Sequence, residues 1–401
     1  MGNFIVFIIV LFIVAALLRV DFFFTLLYLF LGIFILSHLW SKRVMQNLYI
    51  SREMQPRAFW GDKVEVVVKL ENRSRLPIPW LLFHEVYPLT MSSPSFYREV
   101  VSLPGKQSHQ TCYTLNARKR GYYNIGPLTV STGDMLGFRA DMTGDLEASS
   151  LIVYPRIVPI LRLVLPTYSP QVALPTSVPL FQDPARPIGV RAYTPGDNPR
   201  HIHWTATAAS NQMLVKQFQP AIARDNAIFL NLSRSDYAAH GYPDTAIELA
   251  ITVAASLANH MTIVEKLPVG LTTRAIDPLP GQVQSFNIPP RKGRGHLMEI
   301  LDILARAQAI AEDHTFLETI RREAVHLSWG TTIIVITSPL SEELAHILLF
   351  LKRSGFHVAL AVITPREMIH RQKREELVPN LNIPLFKIRD EKDIEAWTPI
   401  M

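Results

Sequence analysis

The sequence predicts a multidomain chain: two transmembrane helices, then an antiparallel β-sandwich, then an α/β domain with a doubly wound sheet. Three observations carry this. Between Asn3 and Trp40 the only formally charged side chains are Arg19 and Asp21. From residue 51 to 155 short β-branched runs alternate with Pro- and Gly-containing breaks. From residue 225 onward apolar runs of strand length alternate with segments of helical period. A chain of 401 residues also exceeds one ordinary domain of roughly 100 to 200 residues, and its 48% hydrophobic content supplies full cores.

Residues 1–41 read as a transmembrane helical hairpin. Phe4 to Leu18 falls short of the roughly 20 residues that cross hydrocarbon, and Phe22 to Leu39 comes close to it. Gly2, Asn3 and Val20 extend the first helix, and Arg19 snorkels outward. A secretory leader is disfavoured, because the run lacks a basic start and a small-residue cleavage site and a second span follows it. Lys42, Arg43 and Arg52 follow the second span, so the positive-inside rule places the large body in the cytoplasm. The expected location is thus the cell membrane, multi-pass, with the bilayer engaged by residues 3–40.

Residues 51–155 read as an Ig-like β-sandwich. Lys63 to Leu70 is β-branched and ends at the polar turn Glu71-Asn72-Arg73-Ser74. Trp80 to Val86, Tyr97 to Leu103, Gln110 to Asn116, Tyr122 to Ile125, Leu128 to Thr132 and Leu151 to Tyr154 follow as strands. Seven prolines from Pro159 to Pro187 then argue against persistent sheet or helix, so residues 156–224 read as a Pro-rich arm.

Residues 225–401 read as the α/β domain. Asn226 to Leu232 is a buried strand, Asp244 to Met261 a helix, Leu267 to Thr272 a strand and His296 to Ala311 an amphipathic helix. Phe316 to Leu327 is a helix, Thr331 to Thr337 a strand, Ser341 to Arg353 a helix and His357 to Thr364 a strand. Such alternation implies a parallel sheet covered on both faces, with ligand chemistry at the carboxyl ends of its strands.

The densest run of unusual residues is Gly189 to Ala208, GVRAYTPGDNPRHIHWTATA. Pro195-Gly196-Asp197 is turn chemistry, Arg191 and Arg200 flank Asp197 with matching charge, and Trp204 offers a large packing face. The order of Gly189, Arg191, Tyr193, Pro195, Gly196, Asp197, Arg200, Ile202, Trp204, Thr207 and Ala208 resembles the signature of the bacterial family called "domain of unknown function 58". Val215-Lys216-Gln217-Phe218 continues the likeness. So do Arg120 to Pro127, Asp134 to Phe138 and Val153-Tyr154-Pro155. The resemblance implies a membrane anchor, a β-sandwich, a von Willebrand factor A-like domain and partnership with a MoxR-type AAA+ ATPase. Within the signature, Gly189, Tyr193, Pro195, Gly196, Asp197, Trp204 and Thr207 are expected to be structural, with Trp204, Tyr193 and Asp197 forming a buried latch. Arg191, Arg200, His201 and His203 are the candidate partner-binding residues.

The resemblance also implies where a metal belongs, at an Asp-x-Ser-x-Ser stretch after the first strand. Here that stretch is Asn231-Leu232-Ser233-Arg234-Ser235. A hard cation wants charged oxygen ligands and Asn offers a neutral carbonyl, so the site at Asn231, Ser233 and Ser235 is read as degenerate, with Asp236 and Asp244 as conceivable rescuers. No cofactor is expected.

Other chemistry is sparse. Cys112, the one cysteine, excludes a disulfide scaffold and reads as a core residue. Arg291 to His296 lacks the Gly-Lys-Ser/Thr ending of a nucleotide loop, Arg366 to Glu376 reads as an exposed helix, and a net charge of +6 gives no case for nucleic acid. The expected function is a membrane-anchored, non-enzymatic adaptor that works with the AAA+ ATPase in protein maturation or complex assembly. Two readings oppose it: a membrane-bound hydrolase using the Arg/His/Asp cluster around Asp197, and an outward-facing cation-dependent adhesion module.

Overall fold

The computed structural model describes residues 2–18, 21–92, 94–133, 140–163, 182–194, 197, 199–220, 225–238, 241–338, 340–364 and 383–399. Pro195, Gly196, Asp134 to Phe138 and Arg366 to Glu376 lie outside them. The chain divides into two compact units, residues 1–156 with 304–306, and residues 157–303 with 307–401.

The first unit opens with two apolar helices, α1 (Gly2–Leu18) and α2 (Asp21–Gln46). At 1.5 Å per residue α2 runs about 39 Å and α1 about 25 Å, against a hydrocarbon thickness of about 30 Å. Only α2 of the pair is long enough to cross alone. They pack on each other, with Phe7 edge-on to Phe30 at 5.4 Å. Only 6% of the apolar stretch of α2 is covered by protein, whereas the similarly apolar Pro243–Val264 is 67% covered. The latter is a core helix.

Ten strands follow: β1 (Leu48–Met54), β2 (Arg57–Phe59), β3 (Lys63–Asn72), β4 (Ile78–Val86), β5 (Phe96–Leu103), β6 (Ser108–Asn116), β7 (Gly121–Ile125), β8 (Leu128–Gly133), β9 (Ala140–Leu146) and β10 (Ser149–Tyr154). They form sheets ordered β1-β3-β6, β2-β10-β7 and β5-β4-β8-β9, antiparallel except where β10 runs parallel to β2. β3 shows why: Val64, Val66, Val68 and Leu70 alternate inward, and Lys63, Glu65 and Lys69 face out. Those residues share one apolar core with Ile78, Leu81 and Phe83 of β4, Val130 of β8 and Val153 of β10.

Polar groups also enter this core. The Arg52 side chain is 1% exposed and forms an ion pair with Glu85, which is fully buried. Tyr113 donates to Glu85 Oε2 at 2.5 Å, and Arg52 Nη1 donates to Ser149 Oγ at 2.8 Å. Arg52 is therefore a core residue rather than a surface charge following α2. Cys112 departs the other way. It is exposed on β6, with its thiol donating to Glu65 Oε1 at 2.9 Å, because β6 alternates and Tyr113 and Leu115 take the inward positions.

The second unit carries β11 (Gln182–Ala192), α3 (Trp204–Ser210) and β12 (Leu214–Pro220). β11 and β12 pair antiparallel, with register shifts on both sides of Pro187. The expectation of no regular structure across the prolines fails here. In a two-stranded ribbon each strand has a free edge, and a bulge absorbs the missing N–H.

The α/β region contains β13 (Asn226–Leu230), α4 (Arg234–Tyr237), α5 (Pro243–Asn259), β14 (Val269–Asp277), β15 (Gln282–Arg291), α6 (Arg294–Arg306), α7 (Phe316–Ala324), β16 (Thr332–Thr337), α8 (Glu342–Arg353), β17 (His357–Ile363), β18 (Leu385–Ile388) and α9 (Glu391–Ala396). The sheet order is β15-β14-β13-β16-β17-β18. All neighbours run parallel except β15, which is antiparallel to β14, so the sheet is mixed rather than wholly parallel. Ala227, Phe229, Ile333, Val335, Val358 and Leu360 share one core with Ile320 of α7 and Leu344 and Leu348 of α8. The alternate residues Ile228, Leu230, Ile334 and Ile336 are equally buried on the opposite face.

Candidate functional site

The signature folds into one small device built on β11 and β12. Arg191 pairs with Val215 and Ala192 with Leu214 in the ladder, and Tyr193 N–H extends it by donating to Met213 O at 2.9 Å. The chain then turns through Asp197 and a short helical turn, Pro199–His201, before α3. His203 caps α3 by accepting from Ala206 N–H at 3.1 Å, and donates its own N–H to Leu214 O at 2.8 Å. Thr207 accepts from Leu214 N–H at 3.0 Å, and Asn211 ends the helix in the left-handed conformation. Ile202 bridges to Val215 and both are buried, forming the small apolar pivot of the device.

Asp197 locks the turn. Its Oδ1 accepts from Arg191 Nη2 at 2.6 Å and its Oδ2 from Arg191 Nη1 at 2.8 Å. Oδ2 also accepts from Thr194 N–H and Thr194 Oγ1, each at 2.9 Å. The Arg191 guanidinium, and after it the Thr194 backbone N–H, hold the Asp197 carboxyl well below the usual carboxylate range. A carboxylate so held is a poor base near neutral pH.

These contacts exchange two of the expected roles. Arg191, expected among the partner-binding residues, is committed to the latch with Asp197. Trp204, expected as a buried anchor, is 67% exposed at the first position of α3, a helix with no buried residue. The correction has a local cause: Ile202, two residues earlier, already fills the space against Val215. His201 and His203 do not lie on one extended segment, since a helical turn holds the first and the cap position the second. Arg200 is exposed on that same turn. Gly189 has open space where a side chain would stand, so nothing steric demands glycine there.

A second cluster sits at the carboxyl ends of β13 and β16, where α/β sheets place their sites. Asn231 Nδ2 donates to Asp236 Oδ2 at 2.7 Å and to Thr337 Oγ1 at 3.1 Å, and Asn231 Oδ1 accepts from Ser233 N–H at 2.9 Å. Ser233 and Ser235 share a hydrogen bond of 2.8 Å, and Ser233 Oγ accepts from Asp313 N–H at 3.1 Å. Asp313 is bound in turn by Arg274 at 2.6 Å, and Asp244 by Arg234 at 2.5 Å. The two amide hydrogens of Asn231 thus point at the oxygens a cation would gather, and Asp244 is turned to Arg234. Among the described residues no group of three or more His, Cys, Asp or Glu side chains is placed to hold a metal ion.

Sequence reasoning missed the buried Arg52, Glu85 and Tyr113 group, whose members come from three strands with no local signal, and also the part played by Asp313.

Comparison with known proteins agrees with the motif. The chain is 24% identical over 332 residues to "Uncharacterized protein YeaD" of Bacillus subtilis (strain 168), spanning 80% of this chain and 78% of that one. Among solved structures, the CARDB domain of a Pyrococcus furiosus protein matches 26% of this chain and 91% of its own, at 13% identity and a TM-score of 0.21. A β-glucosidase from Listeria innocua matches 26% of this chain and 16% of its own, at 13% identity and a TM-score of 0.18. The segment that carries the Asp197 latch, the exposed Trp204 and the Asn231 cluster, residues 189–370, matches the family described as "Protein of unknown function DUF58".

Proposed function

We propose that the protein is a membrane-anchored, non-enzymatic adaptor whose signature hairpin docks a protein partner. The observation that carries the reading is Trp204, 67% exposed at the first position of α3, on a hairpin whose backbone Arg191, Asp197, Thr194, His203 and Thr207 fasten by hydrogen bonds. A tryptophan has only two χ angles to order on binding, and tryptophan dominates energetic hot spots. Arg200 and His201, on the turn before it, supply a polar rim.

The α/β region is read as von Willebrand A-like, supported by its parallel centre, its antiparallel edge strand β15 and the Asn-x-Ser-x-Ser stretch after β13. The β unit is read as an Ig-like sandwich. Satisfaction of Asn231, Ser233 and Ser235 by their neighbours favours protein docking over cation-dependent adhesion, and the weakly basic Asp197 disfavours the hydrolase. The family likeness points to a MoxR-type AAA+ ATPase as the partner, acting in maturation or assembly of other proteins. The uncovered apolar face of α2 supports anchoring in the cell membrane, and Lys42 and Arg43 support a cytoplasmic body.

A photo-crosslinking residue at position 204, in cells that hold the AAA+ ATPase, tests this. It is expected to capture that ATPase, whereas the same residue at exposed Val100 on β5 is not. Equal capture at both positions, or none at 204, overturns the docking role.

A further inference from the structure

Where α2 ends, the β unit presents a second built surface. Trp40 Nε1 donates to Pro77 O at 3.0 Å, and Arg73 N–H donates to the backbone O of Asn47, one residue past α2, at 2.9 Å. The loop from Arg73 to Pro77 is therefore fastened to the helix at both of its ends.

Asn72, fully buried, makes that loop rigid. Its Nδ2 donates to Leu76 O, Pro104 O and Leu103 O at 2.9, 3.1 and 3.2 Å, and its Oδ1 accepts from Ser74 N–H and Oγ at 3.0 and 2.7 Å. The turn after β5 is stapled to the same loop. Lys106 N–H donates to Ser74 O at 2.9 Å, and Gly105 lies so near that a Cβ there would stand 2.4 Å from Arg75 O. Glycine is required at that contact.

The result is a preformed array of exposed basic side chains: Lys42 and Arg43 on the last turns of α2, Arg73 and Arg75 on the loop, and Lys106 on the turn. Glu71 sits beside it and pairs with Arg73 at 3.2 Å, while the Arg73 guanidinium also lies 4.3 Å over the Tyr49 ring. That leaves Lys42, Arg43, Arg75 and Lys106 as the dominant charges.

Depth identifies the occupant. The apolar part of α2 ends at Trp40, and aromatic residues mark the edge of hydrocarbon. Positions 40 to 47 climb about 10 Å beyond that edge at 1.5 Å per residue, whereas headgroups fill about 5–8 Å on each side. A loop bonded at both Trp40 and Asn47 is thus held at headgroup level.

We propose that this loop pair, with the end of α2, is a binding surface for the anionic phospholipid headgroups of the leaflet into which α2 emerges. The proposal rests on the membrane-anchored reading. Charge attracts the array to phosphates within a Debye length, and the stapled backbone presents it without an ordering cost.

The test uses the full chain in nanodiscs of phosphatidylcholine, alone or mixed with phosphatidylglycerol, read by amide hydrogen exchange. Exchange at 73–77 and 104–107 is expected to slow several-fold in the anionic discs, and the Arg75→Gln/Lys106→Gln variant should lose the effect while β3 keeps its protection. Equal exchange in the two lipids, or the same slowing in the variant, overturns the proposal. A chain that stays soluble without detergent and enters no disc overturns the anchoring itself, a different result from indifference to lipid charge.

Discussion

Truncating Trp204 to Ala should disturb the hairpin less than truncating the smaller Ile202. A tryptophan side chain buries at most about 250 Å². With 67% of Trp204 exposed, about a third of that, roughly 80 Å², is covered, worth at most about 2 kcal/mol at ~25 cal/mol per Å². Ile202 is 6% exposed and bridges to Val215, so Ile202→Ala should cost about 2–5 kcal/mol. Global unfolding is a poor probe, because a small hairpin opens on its own. Hydrogen exchange at the ladder amides of Val190 to Ala192 and Leu214 to Lys216 reads the local opening directly. Trp204→Ala should lower their protection by no more than about 30-fold, since 1.4 kcal/mol is tenfold. Ile202→Ala should lower it further. A greater loss for Trp204→Ala would refute the exposed placement and restore the buried latch.

The β-unit core offers a second prediction: Glu85→Ala strands the Arg52 guanidinium and should cost about 3–5 kcal/mol by denaturant unfolding, while Arg52→Met/Glu85→Leu should recover most of it. Burial, with Glu85 beside Tyr113 and Asp236 near Tyr237, raises the pKa of both phenols far above the ordinary value. Above about pH 10, where unfolded tyrosines ionise, the unfolded state binds fewer protons than the native state, so stability falls as pH rises. Tyr113→Phe/Tyr237→Phe should flatten that alkaline slope in melts from pH 9 to 12. Asn231→Asp would set a second carboxylate against Asp236, where 2.7 Å now separates amide and acid. Its melting midpoint should be lower at pH 7 than at pH 5, and Mg²⁺ should leave the midpoint of the parent chain unchanged.

Much of the fold was legible because its pattern is local. Lys63 to Leu70 alternates, Asn226 to Leu230 is short and apolar, and both are strands. β15 was missed because Gln282 to Asn287 is polar and largely exposed, giving no periodic apolar face. β11 was missed because prolines were weighed as strand breakers without allowing for a free edge. The Arg52 and Glu85 pair joins residues 33 apart in sequence on two sheets, which no spacing rule reveals. In the signature, the Arg191 and Asp197 pairing was visible as adjacent opposite charge. The fate of Trp204 was not, because a large aromatic reads as core until another residue, here Ile202, is seen to fill the space.

The docking role of that tryptophan is tested by the affinity of a purified MoxR-type AAA+ ATPase for the full chain in nanodiscs, with Trp204 and with Trp204→Ala. The parent chain is expected to bind and the variant to lose tenfold or more, as a hot-spot truncation of about 2 kcal/mol gives. Hairpin protection, measured on the same samples, should show the variant still folded. Equal affinities, with the hairpin intact in both, would contradict it.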